Sequence, residues 1–115
     1  MAELARLTPQ EVQDGIARGT IVLVDVREPL EFAEARIPGS LLFPLSTFDA
    51  KALPDVSPKK LVFSCRSGRR SVTAFNAAQE AGVPAFGHLE GGILAWGGAG
   101  LPVVHTDPAT GQPRK

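Results

Sequence analysis

The chain has 115 residues, 43% of them hydrophobic and 21% charged, which suits one soluble globular domain with one core. Lys+Arg and Asp+Glu are equal at 12 each, so no global basic field argues for nucleic acid, and any positive charge that matters is local. No apolar run approaches the about 20 residues of a bilayer span, and a single cysteine excludes an internal disulfide or a multi-cysteine metal site.

The N-terminus, Met1-Ala2-Glu3-Leu4-Ala5-Arg6, lacks a long apolar segment and carries an early acid, so it does not read as a signal peptide. Together with a free thiol that must stay reduced, this predicts a cytoplasmic protein. Leu7-Thr8-Pro9-Gln10-Glu11-Val12 then predicts a helix start. Thr8 is the N-cap, Pro9 the first helical position, Glu11 the far side of a capping box, and Leu7 with Val12 a hydrophobic staple. Val12 and Ile16 share one face, and Gly19 ends the helix.

Ile21-Val22-Leu23-Val24-Asp25-Val26 is apolar nearly throughout, the pattern of a strand buried on both faces. Arg27 and Glu28 follow, and Pro29 opens a short helix with Glu31 and Phe32. Asp25 and Arg27 stand at the strand's carboxyl end, where catalytic groups can sit, but Arg27 and Glu31 are close enough to pair and pin the loop instead. Ile37-Pro38-Gly39-Ser40 is a turn. Leu41-Leu42-Phe43 is a further strand cut off by Pro44. Phe48 and Leu53 cover an edge, and Pro54, Ser57 and Pro58 form a surface loop.

Leu61-Val62-Phe63-Ser64 is the next buried strand, and Cys65 ends it. From Ser71, the residues Val72, Ala74, Phe75, Ala77 and Ala78 predict a helix that Gly82 stops. Between them lies Cys65-Arg66-Ser67-Gly68-Arg69-Arg70-Ser71. A helix start carries partial positive charge and favours acids; here it collects Arg66, Arg69 and Arg70. Local conflicts of this kind mark functional sites, and an anion resolves this one: the Cys65 thiolate, a bound oxyanion, or both. Gly68 permits positive φ, so loop N–H groups can turn inward as an anion nest. Such surroundings lower a thiol from the about 8.5 of a free cysteine.

Ala85-Phe86-Gly87-His88-Leu89 is a strand, Glu90-Gly91-Gly92 a turn, and Ile93, Leu94 and Trp96 a short helix. His88 falls in a buried strand pattern and reads as a satisfied core residue. His105 lies past the domain. Nothing in the sequence brings either to Cys65, and metal-ligand spacing is absent. Residues 1–104 form the domain, and 105–115, polar and proline-rich, read as a flexible tail. Strands alternating with helices predict an α/β fold, a parallel sheet with helices on both faces and right-handed crossovers. The cysteine then sits where open α/β sheets place their ligands.

In order along the chain stand Asp25-Val26-Arg27-Glu28, Glu31-Phe32, Ile37-Pro38-Gly39-Ser40, Cys65-Arg66-Ser67-Gly68-Arg69-Arg70-Ser71, Leu89-Glu90-Gly91-Gly92-Ile93, Ala95-Trp96 and Gly100-Leu101-Pro102-Val103. Each piece is weak and the ordered set is specific. It resembles the rhodanese (sulfurtransferase) family over Leu7 to Val103, in its stand-alone single-domain form. The resemblance implies a five-stranded parallel sheet flanked by helices. It also implies Cys65 as a nucleophile that becomes a persulfide, with Arg66, Ser67, Gly68, Arg69, Arg70 and Ser71 around the substrate. No cofactor or metal is implied. The partners are a small anionic sulfur donor such as thiosulfate, a thiol or cyanide acceptor, and in some pathways a sulfur-accepting protein; neither nucleic acid nor membrane enters. Where family members often carry Gly-His before the Ile-Pro-Gly turn, this chain has Ala35-Arg36, and Arg36 is a candidate for the pocket rim.

Two other functions compete. A rhodanese-fold phosphatase or arsenate reductase needs cysteine, five residues, then arginine; that position is Ser71 here, and Arg70 comes one residue early. A non-catalytic regulatory module typically lacks the cysteine, which this chain keeps.

Overall fold

Two apolar runs build the centre of the molecule. In the computed structural model, which describes residues 3–107 and 109–114, they form adjacent parallel strands. Met1 and Ala2, the start of the segment read as no signal peptide, lie outside the described residues, as do Pro108 and Lys115 of the tail. The elements run β1 (Ala5–Leu7), α1 (Pro9–Arg18), β2 (Ile21–Asp25), α2 (Pro29–Glu34), β3 (Ala35–Arg36) and β4 (Leu41–Leu42). After two 3-10 turns come β5 (Lys60–Ser64), α3 (Arg70–Glu80), β6 (Gly87–Leu89), α4 (Gly92–Gly98), β7 (Val104–Thr106) and β8 (Pro113–Arg114).

The main sheet has five strands in the order β1-β6-β5-β2-β4, and every described pairing in it is parallel. Side chains on a strand alternate between faces, and the core divides accordingly. Val24, Leu61 and Phe63 face α3, where they meet Ala74, Phe75 and Ala78. Ile21, Leu23 and Val62 face the other way, onto Val12 of α1 and Trp96 of α4. The expected α/β sheet with helices on both faces is therefore present. α1 starts as its sequence dictates: the Thr8 hydroxyl accepts from the Glu11 N–H at 3.2 Å, the Glu11 carboxylate accepts from the Thr8 N–H at 2.9 Å, and Gly19 closes the helix at φ 74°.

Two features differ from expectation. The fifth strand is β1, three residues that among the described residues pair with β6 alone and carry no pattern long enough to read. The chain from residue 105 was expected as a loose tail. Instead Val104–Thr106 pairs antiparallel with β3, and β8 pairs with β7 in a second small sheet. The open edge of β3 offers backbone groups that need partners, and Pro113, which has no N–H to give, sits in an end strand where none is needed.

Candidate active site

Register sets the stage for the cysteine. Asp25 pairs with Ser64, so β2 and β5 end level, and Cys65 leaves the sheet at its carboxyl edge. The residue is buried, 1% exposed, beneath a loop that reaches α3 at Arg70. Gly68 adopts φ 106°, closed to most side chains, and this turns its N–H onto the Cys65 Sγ at 3.0 Å. The Ser71 hydroxyl lies 3.5 Å from the same sulfur.

The loop is held from behind by α4. Its Ile93 and Leu94 N–H groups donate to the Cys65 and Arg66 carbonyls at 2.9 and 3.1 Å. Those two donors have no partner inside their own helix, and the loop supplies one to each. Gly92 makes the approach possible, because a Cβ there would stand against both carbonyl oxygens and its φ is 60°. The Glu90-Gly91-Gly92-Ile93 stretch is thus the back wall of the cysteine loop.

Burial pushes the Cys65 thiol up, but hydrogen bonds from the Ser71 hydroxyl and from the Ser71, Gly68 and Ser67 N–H groups outweigh it and leave the thiol below its ordinary value. The expected direction is present. The helix start, the inward-turned loop N–H groups and the arginines were all expected to depress the thiol; the N–H groups do so, and the Ser71 hydroxyl adds to them. Arg66 and Arg69 are exposed, and neither has an ion-pair partner among the described residues.

Arg70 is committed elsewhere. Its Nη1 and Nη2 fork onto the Glu31 carboxylate at 2.7 and 2.9 Å. The Arg70 bond holds Glu31 down to about 2 against the opposing effect of burial. Glu31 therefore does not pair with Arg27 as expected. Arg27, 4% exposed, donates through Nε and Nη2 to the Asp25 carboxylate at 2.7–3.0 Å, and through Nη2 to the Ala35 carbonyl at 2.7 Å. Residues two apart at a strand end lie on one face, which brings Arg27 back over Asp25. A buried charge is held only when paired, and this pair ties β2 to the end of α2.

Arg36 was expected at the pocket rim. Its guanidinium instead lies over the Phe32 ring, 5.5 Å from the centroid, and donates to the Phe32 carbonyl and the Thr106 hydroxyl at 3.5 Å each. Strand alternation turns it away from its neighbour Ala35, which lines a cleft of about 330 Å³ with Arg27, Glu31, Arg66, Leu94 and His105. A cleft of about 400 Å³ at the amino ends of β2 and β5 is remote from the cysteine.

Comparison with known proteins identifies the family. The model for the rhodanese-like domain matches residues 8–99. The chain belongs to the rhodanese-like domain family. It is 42% identical over 103 residues to an uncharacterized protein of Synechocystis, a match that takes in 90% of this chain and 58% of that protein's length. It is 36% identical over 84 residues to a protein named sulfurtransferase from Allochromatium vinosum, across 73% of this chain and 78% of the relative. Among solved structures, the thiosulfate sulfurtransferase of Pseudomonas aeruginosa superposes with a TM-score of 0.74 at 30% identity, over 95% of this chain and 21% of that one.

Within this rhodanese-like domain, three side chains near the cysteine have no local signal. Glu31 is 39 residues from Arg70. His88, read as a satisfied core residue, is indeed buried and bonded, but its partner is Ser71, at 2.7 Å from Nδ1. Glu90 caps the other ring nitrogen at 3.2 Å. Finding them needs the strand order: β6 lies beside β5, with His88 level with Phe63. Glu90 follows one residue past the end of β6.

Proposed function

We propose that this rhodanese-like domain is a sulfurtransferase that carries a sulfane sulfur on Cys65. The observation that supports this most directly is the sulfur's surroundings: a Gly68 N–H at 3.0 Å and a Ser71 hydroxyl at 3.5 Å, inside a six-residue loop. In the first step the Cys65 thiolate attacks the outer sulfur of a donor such as thiosulfate. A sulfur–sulfur bond forms, the donor's own sulfur–sulfur bond breaks, and sulfite leaves with the bonding pair. In the second step cyanide or a thiolate takes the outer sulfur, and the Cys65 thiolate returns. Inward N–H groups suit the negative outer sulfur of the intermediate. Arg66 and Arg69, exposed on the loop that covers the buried Cys65, supply positive charge that suits an anionic donor.

A phosphatase reading fares worse for two reasons. Ser71 occupies the position where the arginine fork is needed, and Arg70 is spent on Glu31. The test is a paired turnover assay on one preparation. Thiocyanate should form from thiosulfate and cyanide, vanish in Cys65→Ser, and be unaccompanied by hydrolysis of an aryl phosphate. Cys65-dependent phosphatase activity without thiocyanate would reverse the assignment.

A further inference from the structure

A chain of hydrogen bonds leads from the cysteine to the surface. It runs Cys65 Sγ to Ser71 Oγ at 3.5 Å, Ser71 Oγ to His88 Nδ1 at 2.7 Å, and His88 Nε2 to Glu90 Oε2 at 3.2 Å. The far end fixes the rest. An ionised carboxylate only accepts, so His88 must carry a proton on Nε2. In the neutral ring Nδ1 is then the acceptor, and the Ser71 hydroxyl must donate to it. That leaves the Ser71 oxygen free to accept from the Cys65 S–H. Three donors and three acceptors match with none left over.

From this arrangement we infer that Ser71 relays the Cys65 proton to His88, and that Glu90 holds the imidazolium so formed. The step balances without a further reactant. The S–H proton passes to Ser71 Oγ as the Ser71 hydroxyl proton passes to Nδ1. The products are a thiolate and an imidazolium, with Ser71 now accepting from Nδ1–H and donating to sulfur. His88 and Glu90 are positioning residues, since they act on the sulfur only through Ser71.

The surroundings suit a base. Burial lowers His88 from its ordinary value, Glu90 opposes that shift, and Arg6 adds to it. Among the described residues, the charges acting on His88 are Glu90 from the turn after its strand and Arg6 from β1, whose Nη1 also donates to Glu90 Oε2 at 3.2 Å. Its other strand neighbour, Phe63, is uncharged, and Cys65 meets it through Ser71.

The relay makes a prediction opposite in sign to simple charge repulsion. If Glu90 and Arg6 acted on the sulfur through space, Glu90→Gln would remove a nearby negative charge and lower the Cys65 midpoint. In the relay it weakens the imidazolium and raises the midpoint. Arg6→Gln frees Glu90 for His88 and lowers the midpoint, where loss of a cation acting through space would raise it. Both side chains are more than half exposed, so neither change threatens the fold.

The experiment is the rate of iodoacetamide alkylation of the full chain against pH. Glu90→Gln should raise the midpoint by about half a pH unit, the size of an exposed ion-pair contribution, and Arg6→Gln should lower it. In a Ser71→Ala background, Glu90→Gln should have no further effect. A downward or absent shift in Glu90→Gln, or a shift that survives Ser71→Ala, would overturn the relay. Its part in catalysis rests on the sulfur-transfer reading, but alkylation needs no sulfur donor. The predicted shifts without thiocyanate formation would therefore sink the reaction and leave the relay standing.

Discussion

Replacing Glu31 with glutamine removes the charge that holds Arg70 while keeping the shape and one acceptor oxygen. A carboxyl lowered from 4.5 to about 2 corresponds to about 3 kcal/mol of preference for the charged, paired form. The two side chains are 32% and 33% exposed, and solvent screening cuts that figure, leaving about 1–2 kcal/mol. The pH dependence follows from the direction of the shift. The folded-state value lies below the unfolded one, so the stabilisation is complete above pH 4.5 and fades as pH falls through about 2. Urea unfolding of wild type and Glu31→Gln should thus differ by about 1–2 kcal/mol at pH 7, and the gap should narrow below pH 4.5. Adding Arg70→Gln to Glu31→Gln should cost little more, because the pair is already broken. Equal midpoints at pH 7, or a gap that widens in acid, would refute the reasoning.

Asp25→Asn leaves Arg27 buried without its anion, and should cost about 3–5 kcal/mol in urea unfolding; a loss under about 1 kcal/mol would mean that Arg27 finds another partner or reaches water. Gly92→Ala should destabilise by about 2 kcal/mol or more and slow thiocyanate formation, since its Cβ would press on the Cys65 and Arg66 carbonyls and part the loop from α4. Arg66→Ala and Arg69→Ala should raise the KM for thiosulfate while melting within about 0.5 kcal/mol of wild type, as surface changes do. If either unfolds the protein, that arginine is structural.

Much of the fold could be read from runs and caps. The β2 and β5 segments are apolar on both faces because helices cover both, whereas a strand with one face in water would alternate apolar with polar residues. The start of α1 was legible because Thr8, Pro9 and Glu11 each satisfy a separate requirement of a helix terminus. The cysteine loop stood out because three arginines crowd a helix start. What stayed hidden depends on partners far away in the chain. β1 and the β3–β7–β8 sheet are two- or three-residue strands, formed because an edge was available rather than because their residues demand it. Arg27 and Glu31 read as close enough in sequence to pair, whereas the strand end offered a closer and better buried carboxylate in Asp25. The bond from His88 to Ser71 could not be seen without knowing that β6 lies beside β5.

The central claim, that Cys65 carries a sulfane sulfur, is tested most directly by the intact mass of the protein after brief exposure to thiosulfate. A gain of one sulfur, about 32 Da, should appear on wild type, disappear on treatment with cyanide or dithiothreitol, and never form on Cys65→Ser; these follow from a thiolate nucleophile and a persulfide intermediate. An unchanged mass in protein whose Cys65 still alkylates readily would contradict the account, because a reactive thiolate in this loop would then be shown not to accept the sulfur.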